Sequence, residues 1–182
     1  MPHPTQAEVL QALNTGAAIF GERHKDPAAR NMAVACINAK KVRWLLVEAL
    51  EEETNQREVL AALLDGHVPN VDQGCWTPMT LQPSGDWLPV INACYQQRTP
   101  IVFADFSPTI VGKDKTIRLK PESPDGMTMR NEHMAGKVNL ISSIQFPGTT
   151  RGQGVLLVCG NSHVAGVMAG VKDFPIAGFD FT

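Results

Sequence analysis

Glu22 and His24 stand one residue apart at the end of the apolar run Ala17-Ala18-Ile19-Phe20-Gly21. An Asp26-Pro27 pair that can open a helix follows them. Three later apolar runs finish in the same way, in Glu48, in Asp105, and in Asn161 with His163. Carboxylates and imidazoles are the side chains of general acid–base chemistry. An imidazole titrates near neutral pH, and a neighbouring carboxylate fixes its tautomer or raises its basicity. The same groups supply oxygen and nitrogen ligands for zinc, manganese or cobalt. Any one of them alone reads as a helix cap or a solvated charge. Four such endings in 182 residues point to one shared site, because ligands of open α/β sheets bind at the carboxyl ends of parallel strands.

A fifth piece is Arg130-Asn131-Glu132-His133-Met134-Ala135. Arg130 lies one helical turn before Met134 and two before Val138, on the face those residues turn inward. A helix beginning near Thr128 puts it in the first turn, where the helix dipole disfavours a cation by ~0.3–1 kcal/mol. An inward arginine there calls for an anion, either a strand-end carboxylate or a substrate.

The elements that must position these groups alternate along the chain. Residues 5–14 read as a helix, with Thr5 and Glu8 forming a capping box. Ala17 to Phe20 is a strand apolar throughout, as expected when both faces are covered. Asp26 and Pro27 open a second helix whose inward face is Ala28, Met32, Ala35, Cys36 and Ala39. Val42 to Val47 is the next strand, and Glu51 to Leu64 the next helix, closed by Gly66. Residues 67–83 hold three prolines and Cys75-Trp76, and read as a long loop able to serve as a lid or a substrate wall. Ser84 or Asp86 starts a helix with Trp87, Val90, Ile91 and Cys94 on one face. Ile101 to Ala104 is a strand, residues 106–127 are irregular with a short strand at 116–119, and a helix runs from Thr128 to Ile144. Val155 to Cys159 is a strand, Val164 to Val171 a small-residue helix that must pack closely, and 176–181 an alternating edge strand. This pattern predicts a single domain over 1–182, an α/β three-layer sandwich. Its central sheet is mainly parallel, with about 4–5 strands and helices on both faces.

Composition narrows the classes further. Hydrophobic residues make up 43% and charged residues 19%, an ordinary globular balance. A net charge of -2 with signs mixed along the chain gives no nucleic-acid or membrane signal. No apolar run reaches the ~20 residues of a membrane span. The N-terminus has neither the basic start nor the apolar core of a signal peptide. Of the cysteines, Cys36, Cys94 and Cys159 fall in apolar segments suited to buried thiols, Cys75 in the loop, and none forms a CxxC pair. The expected location is cytoplasmic, or exported without a classical signal. His3, His67 and His133 read as terminal or surface residues.

Gly21-Glu22-Arg23-His24 after a first strand resembles the G-E-x-H signature of the erythromycin esterase / ChaN / TIKI-TraB superfamily. Glu48 is similar to that family's second acidic position. Arg130-Asn131-Glu132-His133-Met134-Ala135 resembles its R-[DN]-x-x-M-A helix start, and Gly160-Asn161-Ser162-His163 its late G-x-x-H. The matches keep the family order and span residues 17–166. The chain is shorter than the typical esterase and lacks stretches corresponding to its helical insertions.

The resemblance implies a site built from Glu22, His24, Glu48, Arg130 and His163. Asp105, Asn131 and Asn161 are candidates for binding substrate. Members of the family hydrolyse a macrolide lactone, cleave peptides with a metal, or bind haem iron. A hydrolase of ester or amide bonds would use His24 as general base, Glu22 or Glu48 to orient it, and Arg130 with His163 to stabilise the oxyanion. Its partner is then a small-molecule or peptide substrate. A metal-dependent version would draw ligands from His24, Glu22, Glu48 and His163. The alternative is a haem- or metal-binding protein of the ChaN type. A different resemblance, of Asp72-Gln73-Gly74-Cys75-Trp76 to papain-like proteases, would make Cys75 a nucleophile and His163 its partner. The small size also suits a secreted effector or toxin domain that engages a host or rival-cell protein.

Overall fold

The computed structural model describes residues 3–23, 26–50, 87–106, 108–111, 116–144 and 147–182. Its helices are α1 (Gln6–Thr15), α2 (Ala28–Asn38), α3 (Leu88–Gln97), α4 (Pro124–Ser142) and α5 (Val164–Gly170). Its strands are β1 (Ala17–Glu22), β2 (Trp44–Leu50), β3 (Ile101–Asp105), β4 (Thr109–Val111), β5 (Thr116–Arg118), β6 (Val155–Gly160) and β7 (Ile176–Asp180). Five strands form one sheet in the order β3-β2-β6-β1-β7, with every neighbouring pair parallel. β4 and β5 pair separately as an antiparallel hairpin. The predicted α/β sandwich is thus the fold, with the sheet wholly parallel among the described residues. The helix expected at 51–64 and the loop at 67–83 lie outside those residues.

Burial on both faces explains the composition of the strands. Side chains alternate across the sheet, so Ala18, Phe20, Leu45, Val47, Leu156 and Val158 pack under α1, α2 and α3. Ile19, Leu46, Leu157 and Cys159 pack under α4 and α5. The strand β6 is central and buried from end to end. The chain runs from β1 out to β2 and β3, then returns to insert β6 between β2 and β1. From β1 it continues into α2 on one face, and from β6 into α5 on the other. Neighbouring strands whose connections leave on opposite faces in this way mark the switch point at which open α/β sheets bind ligands.

The capping box of α1 is present, with Thr5 and Glu8 bonded reciprocally. At α2 the Asp26 carboxylate accepts the N–H of Ala28 at 2.9 Å. The inward face of α2 differs from the expected one: it is Ala29, Arg30, Ala33, Cys36 and Ile37. The helix is turned by about one residue, and Arg30 comes inward with it because a buried acid awaits it. The helix α4 begins at Pro124, capped by the Ser123 hydroxyl, rather than at Thr128. Arg130 therefore sits in the second turn, away from the positive end of the dipole that the sequence seemed to impose on it. Met134, Val138 and Ile141 are buried as expected. The small residues of α5 admit close neighbours: a side chain at Gly166 would collide with Asn131, and one at Gly170 with Ala135. Cys36, Cys94 and Cys159 are free and buried.

Candidate functional site

The strand period sorts the strand-end acids between the two faces. Glu22 follows Ala18 and Phe20 in the two-residue alternation and reaches the α2 side. Glu48 follows Leu46 and reaches the α4 side. Each acid meets an arginine there.

On the α4 side, Arg130 is the hub. Its Nη2 donates to Glu48 Oε1 at 2.6 Å and to Asp105 Oδ2 at 2.7 Å, and its Nε lies 3.0 Å from Asp105 Oδ1. These side chains are 7–13% exposed, so the ion pairs are largely withdrawn from solvent. Nη1, the remaining nitrogen, contacts Met127 Sδ at 3.9 Å. Burial works against the Arg130 charge, but Asp105 and Glu48 outweigh it and raise the pKa above its ordinary value. Glu48 accepts on both oxygens, Oε2 taking the N–H of Gly160 at 2.5 Å. His163 Nε2 lies 3.3 Å from Glu48 Oε1, and Nδ1 lies 2.6 Å from Asn131 Oδ1. With 2% of its surface exposed, His163 is an internal strut. A proton on Nε2 lets it donate to Glu48, and one on Nδ1 lets it donate to Asn131.

Burial pushes the Glu48 carboxyl upward. Hydrogen bonding to His163 and the Gly160 N–H, with the charges of His163 and Arg130, more than reverses this and holds it at about 2, against an ordinary 4.5. Because the folded pKa is the lower one, the stabilisation is complete above pH 4.5 and is lost as pH falls through about 2. The shift corresponds to about 3 kcal/mol. Urea midpoints measured between neutral pH and pH 2 are expected to fall more steeply for the native chain than for Glu48→Gln. Parallel profiles would show that Glu48 does not carry this linkage.

On the α2 side, Arg30 holds Glu22 in a fork, Nε to Oε2 at 2.8 Å and Nη2 to Oε1 at 2.6 Å, with both side chains 5% exposed. The guanidinium lies over the Trp87 ring, 4.7 Å from its centroid. Sequence reasoning missed Arg30. The available signal was its place on the Ala29/Ala33/Cys36/Ile37 face, eight residues beyond a strand-end acid.

The structure therefore brings Glu48, Asp105, Arg130, Asn131 and His163 into one bonded cluster. Comparisons with family models, with curated proteins and with solved structures found no match. The chemistry of the cluster rests on its own geometry. Glu22 stands at the same edge but on its own arginine. Asn161 stacks its carboxamide over Gly21, where a side chain would collide with it, and reaches Asp180 Oδ2 at 3.4 Å. His24 and Cys75 lie outside the described residues. Cys159 is buried on the α4 side of the sheet. Its thiol is raised well above the ordinary value, first by burial and then by Glu48, Glu22 and Asp105, with Arg130 opposing.

Of the four ligands of a metal-dependent version, Glu22, Glu48 and His163 are engaged in hydrogen bonds and His24 lies outside the described residues. Both oxygens of Glu22 accept from Arg30, and both of Glu48 accept from Arg130 and Gly160. Among the described residues no three His, Cys, Asp or Glu side chains stand as a ligand group. No described helix is long and apolar enough to cross a membrane.

Proposed function

We propose that the chain is a hydrolase of ester or amide bonds, kin to the erythromycin esterase / ChaN / TIKI-TraB superfamily, acting over the carboxyl edge of β1, β6 and β2. The observation that carries this reading is the Glu48–Arg130–Asp105 group braced by His163 and Asn131. It places a fixed cation at the strand edge where the switch point lies. His24, two residues beyond Glu22 in the chain, takes a proton from water as the water oxygen bonds to the carbonyl carbon. Arg130 stabilises the charge that develops on the carbonyl oxygen. Its Nη1 is the donor not committed to Glu48 or Asp105. As the tetrahedral species collapses, the C–O or C–N bond breaks and His24 returns the proton to the leaving alkoxide or amine. His163 then acts as a positioning residue for Glu48 and does not touch the substrate.

A panel of chromogenic esters and peptide amides tests the proposal. Turnover by the native chain is expected to fall at least about a hundredfold in His24→Ala, the order a lost general base costs, with thermal unfolding unchanged. Cys75→Ala is expected to retain full activity. An active His24→Ala together with a dead Cys75→Ala would move the chemistry to the thiol.

A further inference from the structure

The end of the molecule opposite the site has its own charge pattern. Lys40, Lys41, Arg43, Arg98, Arg151 and Lys172 all fall in the loops that feed the amino ends of the strands, and Asp173 is the sole acid among the described residues of those loops. The loops form one continuous end. Gly154 N–H donates to the carbonyls of Leu13 and Gly16 at 2.9 and 3.2 Å, and Arg43 N–H to that of Gly154 at 2.7 Å. The Thr99 hydroxyl donates to the Val42 carbonyl at 3.3 Å, and Ala17 N–H to that of Pro175 at 2.9 Å. Among the described residues outside these loops acids outnumber bases nine to six, so the charge of the described residues is segregated along the strand direction.

Helix ends explain part of this. A cation beyond a helix C-terminus offsets the negative end of the dipole, which accounts for Arg98 after α3 and for one lysine after α2. It does not account for the second lysine, nor for Arg43 and Arg151, which precede strands. Lys40 and Arg98 moreover hold left-handed backbones, φ 56° and 55°, at positions where glycine commonly ends a helix with less strain. Arg151 is spent internally, 3.5 Å from Asp173 and over the Phe174 ring. Lys40, Lys41, Arg98 and Lys172 are exposed.

We propose that this amino-edge face docks on anionic lipid headgroups, leaving the carboxyl-edge site turned away from the membrane. The cations enter from separate loops across a five-stranded sheet, whose strands stand ~4.8 Å apart. Lys40, Lys41 and Arg98 follow α2 and α3 on one face of the sheet, and Lys172 follows α5 on the other. The exposed cations therefore spread across the layers as well as along the row of strand ends, as a plane of headgroups requires. A nucleic-acid strand is followed instead by a line of cations with aromatic platforms for its bases. Here Phe174 has Arg151 over its ring. Attraction of this kind accumulates with each basic residue near the surface and decays within a Debye length.

Co-sedimentation with phosphatidylcholine vesicles, with and without phosphatidylserine, tests the assignment. The native chain is expected to bind only the phosphatidylserine vesicles and to be released by high salt. Lys40→Glu/Lys41→Glu/Arg98→Glu is expected to lose about a hundredfold in partitioning. Lys40→Gln/Lys41→Gln/Arg98→Gln, which adds no charge beside the helix ends, is expected to lose about tenfold or more with its melting curve unchanged. No binding by the native chain at low salt, or equal binding by the well-folded glutamine variant, would overturn the proposal. Tighter binding to duplex DNA or RNA than to these vesicles would overturn it too.

Discussion

Replacing Arg130 with methionine is expected to lower the free energy of unfolding by about 3–5 kcal/mol. The loss would be read as a fall in the urea midpoint with the slope unchanged. The size follows from what the substitution leaves behind. Glu48 and Asp105 are 13% and 7% exposed at the side chain, and both are bonded to the same guanidinium. Without it two carboxylates remain side by side, each largely cut off from solvent and each opposing the ionisation of the other. Truncating one partner of a buried ion pair is therefore far costlier than the 0–1 kcal/mol typical of surface pairs. Against a total stability of about 5–15 kcal/mol for most domains, this is a large share. The triple variant Arg130→Met/Glu48→Gln/Asp105→Asn removes the charges together and is expected to recover much of the loss. A single-variant cost below about 1 kcal/mol would place the group in effective contact with solvent.

How far the sequence revealed this arrangement depended on which physical signal each residue carried. Val155 to Cys159 was plain because a strand covered on both faces needs an unbroken apolar run. Arg130 was plain too: an arginine in register with Met134 and Val138 has to meet an anion, and it meets Glu48 and Asp105. The start of α4 was obscure for the same reason that it matters. Its first two turns stand over the polar edge of the sheet rather than the apolar core, so Met127, Met129 and Arg130 carry no clean apolar stripe. The Ser123-Pro124 cap was then the remaining signal. Arg30 was obscure because a charged residue next to Ala29 argues against the inward face it occupies. Only a partner on another element could turn it inward, and a one-dimensional pattern does not show that partner. Parity sends Glu22 and Glu48 to opposite faces of the same sheet edge. Residue 22 continues the even positions of β1 toward α2, and residue 48 the even positions of β2 toward α4.

That parity sets up the second large effect, at Arg30. Arg30→Met is expected to destabilise the fold by about 3–5 kcal/mol, because it removes a bidentate partner from an acid that is 6% exposed. Glu22→Gln keeps the shape and one acceptor oxygen, so its cost is expected to be smaller, about 1–3 kcal/mol. The double variant Glu22→Gln/Arg30→Met is expected to be more stable than Arg30→Met alone. The coupling from this cycle, measured by urea unfolding at neutral pH, reports the fork itself. The same three proteins separate the two roles that Glu22 can hold beside His24. If Glu22 orients the imidazole, Glu22→Gln loses turnover out of proportion to its small loss of stability. If Glu22 is only the anchor of α2 on the sheet edge, activity follows the folded fraction through all three variants. The bidentate fork shows the anchor directly, and the expected result is activity that follows the folded fraction through all three variants.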